Sequence, residues 1–178
     1  MKDGVQDILL VEDNPGDARL IRELLVDEIG RAAFSMQIAE SLEEALATLE
    51  DGLPDVVFLD LSLPDAHGTE GASRLLRVLP GVPLLVLSLN AEAAYAARLM
   101  QMGASGYLPK DKAPEELRIA LRRLSEGGRY VTAAMADHLL GLLSGKAPQA
   151  LPHEQLSAQE HRVMLLIAAG HTPAQIAE

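Results

Sequence analysis

The chain has 178 residues, with 26 acidic against 15 basic side chains and no cysteine. Its formal charge of −11 opposes a DNA phosphate backbone and favours cations or basic partner surfaces, while the missing thiols exclude disulfides, thiolate metal sites and thiol redox chemistry. The length suits one average domain plus a fragment, and no apolar run nears the ~18 residues that span a bilayer, so a soluble, cytoplasmic protein without membrane contact is expected.

Ile8-Leu9-Leu10-Val11 is a short apolar run broken by the turn formers Glu12-Asp13-Asn14-Pro15-Gly16, which predicts a strand and then a loop. Over 17–29 the apolar residues recur at three- and four-residue steps, as in an amphipathic helix. A strand is expected over 34–39. Ser41 with Glu44 three residues on forms a capping box for a helix reaching about 51. Val56-Val57-Phe58-Leu59 reads as a buried strand that delivers Asp60 to its exit, followed by a loop with Pro64 and Gly68. A helix over 69–79 is stopped by Pro80-Gly81 and Pro83.

The next strand, 83–88, is apolar almost throughout, as expected when helices cover both faces. A helix over 91–102 ends at Gly103. Gly106-Tyr107-Leu108-Pro109 is the fifth strand, and because Pro109 has no amide donor the strand is expected at a sheet edge. A helix opens at Ala113-Pro114, carries acids in its first turn and Arg122-Arg123 near its end, and is closed by Gly127-Gly128.

Strands and helices thus alternate five times, which predicts an α/β fold. A doubly wound, flavodoxin-like, five-stranded parallel sheet of order 2-1-3-4-5, with helices on both faces and a C-terminal helical extension, is expected. In that order the first and third strands are neighbours, so Glu12, Asp13 and Asp60 meet beyond the carboxyl ends of the strands, where ligands bind in such sheets.

Three carboxylates that close together raise one another's pKa unless a cation joins them. Magnesium suits the site, because it prefers oxygen ligands and combines one or two carboxylates with water and phosphate oxygens. Lys110 supplies a compact positive charge and Ser88 a hydroxyl, an arrangement suited to receiving a phosphoryl group on Asp60. Taken singly, Glu12 and Asp13 read as turn acids, Asp60 as a strand-end acid, Ser88 as a cap and Lys110 as a surface charge. Their joint placement at four strand exits favours the functional reading.

Together these motifs resemble the receiver domain of two-component response regulators over residues 5–128. Leu10-Val11-Glu12-Asp13-Asn14 is similar to the family's acidic metal pair, and Asp60-Leu61-Ser62-Leu63-Pro64 with Gly68 to its phosphoacceptor loop. Ser88 matches its hydroxyl, and Gly106-Tyr107-Leu108-Pro109-Lys110 its aromatic switch and lysine. The resemblance implies that a sensor histidine kinase supplies the phosphoryl group, that Ser88 moves towards the phosphate and that Tyr107 turns inward. Ser62, Leu89 and Asn90 are the positions expected to tune the rates; Leu89 stands where the family usually has a small residue. The chemistry is that of a signalling phosphoacceptor with slow self-dephosphorylation, not of an enzyme.

Residues 129–155 are expected to hold a linker helix, capped by Thr132 and docked on the receiver in preference to forming a dimer contact, and then a flexible linker with Gly145, Pro148 and Pro152. Over 156–178 the paired caps Ser157-Ala158-Gln159-Glu160 and Thr172-Pro173-Ala174-Gln175, separated by Gly170, resemble the opening of a LuxR-type helix-turn-helix domain in a NarL/FixJ type of regulator. The recognition helix that would enter the major groove is absent, so a truncated or interrupted chain is expected. DNA would then be bound only through the complete C-terminal domain, with a homodimer formed on phosphorylation. Two alternatives remain: a phosphorylation-independent receiver acting through protein–protein interaction, and an aspartyl-phosphate phosphatase, which Ser62 in the second acidic position disfavours.

Overall fold

Successive residues of each apolar strand must face opposite ways, so runs that are apolar at every position need cover on both sides. The computed structural model, which describes residues 6–30, 34–89 and 93–143, supplies that cover. Its elements begin with β1 (Gln6–Val11), α1 (Pro15–Ile29), β2 (Phe34–Ala39), α2 (Leu42–Asp51), β3 (Val56–Asp60), β4 (Ser62–Leu63), β5 (Ala66–His67) and α3 (Thr69–Val78). They continue with β6 (Leu84–Ser88), α4 (Ala93–Met102), β7 (Gly106–Pro109), α5 (Ala113–Ser125), β8 (Tyr130–Val131) and α6 (Ala133–Leu143).

The main sheet is parallel and runs β2-β1-β3-β6-β7-β8. Its first five strands take the expected order. On one face Leu9, Val11, Val57, Leu59, Leu84, Val86 and Tyr107 pack with residues of α2, α3 and α4 and with Met135 of α6. On the other, Ile8, Leu10, Val56, Phe58, Leu85, Leu87 and Leu108 pack with α1 and α5. The switch of face from each residue to the next explains why these strands show no polar alternation.

The sixth strand corrects the expectation that the Gly106–Pro109 strand lies at an edge. Tyr130 pairs with Gly106 and Val131 with Tyr107, so β8 covers the first half of β7. Pro109, opposite Ser88, lies beyond the last β8 pairing, so its missing N–H removes no bond on that side. Gly106 admits the neighbour: a Cβ there would stand 2.7 Å from Leu85 Cδ1 and 3.0 Å from the Tyr130 carbonyl oxygen.

Local capping fixes several boundaries. Asn14 Oδ1 accepts from the Gly16 and Asp17 amides, and with Pro15 at the start this opens α1 two residues before the expected position. Ser41 Oγ accepts from the Glu44 amide as expected, although the Glu44 carboxylate reaches back to the Glu40 amide rather than to Ser41. Thr132 Oγ1 accepts from the Met135 amide and caps α6, whose Met135 is buried in the sheet core. The helix start expected at 91, the linker beyond 143 and the segment 156–178 lie outside the described residues.

Candidate active site

Because Val11 stands opposite Leu59 in the β1·β3 ladder, the residues that follow, Glu12 and Asp60, leave the sheet side by side. One carboxylate oxygen from each of Glu12, Asp13 and Asp60 lies within 4.8 Å of the others. Glu12 and Asp60 are buried, at 1% and 3% exposure, whereas Asp13 is exposed. Two buried carboxylates are costly without a compensating charge. Lys110 provides it: Nζ donates to Glu12 Oε2 and to Asp17 Oδ2, each at 2.7 Å, and lies 3.1 Å from Asp60 Oδ1.

Electrostatics follow from this crowding. Burial pushes the Glu12 carboxyl above its usual range and the Asp60 charge adds to this, while Lys110 and the Asn14 amide, which donates to Oε1 at 3.2 Å, oppose it. Burial alone would lower the Lys110 pKa, but the hydrogen bonds to Asp17 and Glu12 and the charges of Asp60 and Glu12 hold it above the usual lysine value. Lys110 is therefore a fixed cation at neutral pH.

The other expected site residues fall around this group as follows. Asp60 pairs with Leu87, so Ser88 is the next residue out on the adjacent strand, 6% exposed, and Lys110 leaves β7 just beyond Pro109, its partner. Ser62 is exposed, and its amide donates to Asp60 Oδ2 at 2.9 Å. Tyr107 is fully buried in the core that contains Leu84, Leu99 and Met135. Leu89 is 78% exposed, and Asn90 lies outside the described residues.

Two acids that the sequence reading did not single out bear on this region, Asp17 by bonding Lys110 and Asp65 by anchoring the loop after Asp60. Asp17, four residues after Asp13, turns its carboxylate to Lys110 from the first turn of α1. Asp65 lies in the turn of the β4–β5 hairpin, and its Oδ1 and Oδ2 accept from the Leu42 and Glu43 amides at 2.9 Å each, so the loop after Asp60 is tied to the start of α2. Gly68 closes the loop with φ +58° and its amide donates to the Leu61 carbonyl, a conformation that favours glycine. Neither acid carried a local signal: Lys110 lies 93 residues from Asp17, and the nearer partner of Asp65 lies 22 residues away.

The group as a whole offers oxygen ligands to a hard cation and, beside them, a carboxylate, an ammonium and a hydroxyl around one exit of the sheet. Residues 8–122 match the response regulator receiver domain. This chain belongs to the response regulators. It is 32% identical over 173 residues to the response regulator UvrY of Escherichia coli (strain K12), covering 96% of this chain and 78% of that protein. It is 31% identical to the response regulator GacA of Pseudomonas aeruginosa over 173 residues, covering 96% and 79%. These likenesses put the response regulator with the NarL/FixJ type.

Among solved structures, a two-component response regulator of the LuxR family from Aurantimonas sp. SI85-9A1 superposes with a TM-score of 0.70 at 26% identity, over 79% of this chain and 99% of that one. The Salmonella typhimurium RcsB response regulator reaches 0.71 at 22% identity over 98% and 82%, a likeness of fold. Response regulators are signalling proteins of two-component systems, and this chain is one of them. Among its described residues no helix is long and apolar enough to cross a membrane.

Proposed function

We propose that this response regulator accepts a phosphoryl group on Asp60 from a sensor histidine kinase and so controls a DNA-binding transcriptional output. The observation that carries the reading is the meeting of Glu12, Asp13 and Asp60 oxygens within 4.8 Å, with Lys110 Nζ 3.1 Å from Asp60 Oδ1. A carboxylate oxygen of Asp60 forms a bond to phosphorus as the phosphorus–nitrogen bond of a phosphohistidine breaks. The imidazole leaves with the electron pair of that bond and takes up a proton from water. Lys110 and Ser88 donate to the transferred oxygens, where charge spreads in the transition state. Slow attack by water on the acyl phosphate releases inorganic phosphate and restores Asp60.

Glu12, Asp13 and Asp60 would hold magnesium, which when bound neutralises the carboxylates and offers coordination sites to phosphoryl oxygens. The donor set supports it: three hard carboxylate oxygens, one of them exposed to water through Asp13, with no thiol in the chain. Ser62, Leu89 and Asn90 tune the rates of transfer and hydrolysis. The new charge biases a bistable surface in which Ser88 moves towards the phosphate and Tyr107 is held inward. The downstream segment reaches DNA only as part of a complete C-terminal domain, with the phosphorylated receiver pairing as a homodimer in the cytoplasm.

The test is incubation of the chain with acetyl phosphate, with and without magnesium, followed by intact mass measurement of wild type and Asp60→Asn. One added phosphoryl group in wild type, dependent on magnesium and absent in Asp60→Asn, is the expected result. A folded wild type that takes up no phosphoryl group overturns the reading in favour of a phosphorylation-independent binding module.

A further inference from the structure

Lys110 has three carboxylate partners, matching the three donors of an ammonium, but they are not equivalent. Glu12 and Asp60 belong to the group whose oxygens converge within 4.8 Å, whereas Asp17 does not. A divalent ion among Glu12, Asp13 and Asp60 therefore competes with Lys110 for two of its partners and repels the ammonium itself. Asp17 is the partner that an ion entering this group leaves to Lys110.

We propose that Asp17 is a positioning residue for Lys110, keeping the ammonium beside the acidic group when a divalent ion takes over Glu12 and Asp60. The inference rests on the magnesium site of the proposed function. Its geometry is specific: Asp17 Oδ2 lies 2.7 Å from Lys110 Nζ, and the Asp17 side chain is 32% exposed against 12% for Lys110. The carboxylate stands on a fixed support. Asn14 caps the first turn of α1, and Ala18, Ile21 and Leu25 hold that helix to the sheet.

Without Asp17 the ammonium has only Glu12 and Asp60 to hold, so it opposes the ion directly and, once displaced from those two, has no carboxylate partner left. With Asp17 present, the ammonium stays within the site, where a phosphoryl oxygen on Asp60 will need a donor. A purely structural role is the alternative, since an acid in the first turn also favours the positive end of the helix dipole. Such a role would change helix stability but would not make ion binding depend on Lys110.

Calorimetric titration of the full chain with magnesium chloride separates these cases through a double-mutant cycle. Asp17→Asn is expected to weaken magnesium binding about tenfold, the effect of one charge-assisted contact, while Asp17→Glu, which restores the carboxylate, stays within about twofold of wild type. In a Lys110→Met background the same Asp17→Asn change is expected to alter affinity by less than about twofold. An Asp17→Asn loss of equal size with and without Lys110 overturns the inference, because the carboxylate would then act by its charge alone. So does unchanged affinity in Asp17→Asn. If Asp13→Asn weakens binding and Asp17→Asn does not, the inference alone falls; if neither does, the metal site falls with it.

Discussion

Replacing Asp65 by alanine removes the acceptors of two amides at the start of α2, those of Leu42 and Glu43, each at 2.9 Å. Loss of an N-cap side chain costs about 0.5–2 kcal/mol. Two bonds to one carboxylate place this case in the upper part of that range, while the exposure of Asp65 screens its charge and holds the expected loss to about 1.5 kcal/mol. Asp65→Asn keeps one acceptor and is expected to lose about half as much. Equilibrium urea unfolding should show a lower midpoint with an unchanged slope. The pH dependence follows from the carboxyl group. Burial pushes its pKa up, but the amides of Leu42 and Glu43 and the charge of Arg74 outweigh this and hold it below the usual range. A depressed folded-state pKa contributes stability that is complete above the unfolded value of about 3.9 and is lost as pH falls through the folded value. The gap between wild type and Asp65→Ala should therefore be constant near neutrality and narrow below about pH 4. A gap under about 0.3 kcal/mol at pH 7, or one that persists unchanged into acid, would refute the capping role.

Two further substitutions probe the last strand. Gly106→Ala brings a Cβ to 3.0 Å from the Tyr130 carbonyl, which cannot retreat without opening the β7·β8 pairing; a loss of about 1–3 kcal/mol is expected, with faster hydrogen exchange at the Tyr130 amide that donates to the Ser105 carbonyl. Tyr130→Phe removes the O–H that donates to the Glu116 carboxylate and should cost about 1 kcal/mol. Because burial, and then Glu116, hold the Tyr130 phenol above its usual pKa, alkaline spectrophotometric titration of the variant should lack a late-titrating phenol that wild type shows.

Much of the fold was legible because its signals are local. The strand over 34–39, the Ser41 and Thr132 caps and the end of β3 at Asp60 depend on residues a few positions apart, and all appear as expected. The candidate site was legible for a different reason: a parallel sheet presents its strand exits on one edge, so chemically matched residues after successive strands imply proximity. β8 was not legible. Tyr130–Val131 is too short to show alternation, and its pairing depends on Gly106 leaving space. Asp65 was missed because its acceptors serve amides 22 and 23 residues away, and Asp17 because its partner lies 93 residues on. Loop acids carry no periodic mark of such contacts.

The short strand β7 would set the energetic terms of the proposed switch. It carries Tyr107 and ends at Pro109, immediately before Lys110; it is bonded on one side to β6, which ends at Ser88, and on the other to β8, which leads into α6. Tyr107 is fully buried in the same core as Met135, so turning its ring outward would leave a void in that core. A void left by a large aromatic side chain costs on the order of 3–5 kcal/mol. Moving a two-state equilibrium from 1:99 to 99:1 requires about 5.5 kcal/mol. The two magnitudes are comparable, so in the proposed switch this packing acts in the same direction as a phosphoryl charge at Asp60, which also holds Tyr107 inward. The inward ring is already in place while Lys110 balances the carboxylates, so the core packing of Tyr107 favours that position without a phosphoryl group on Asp60.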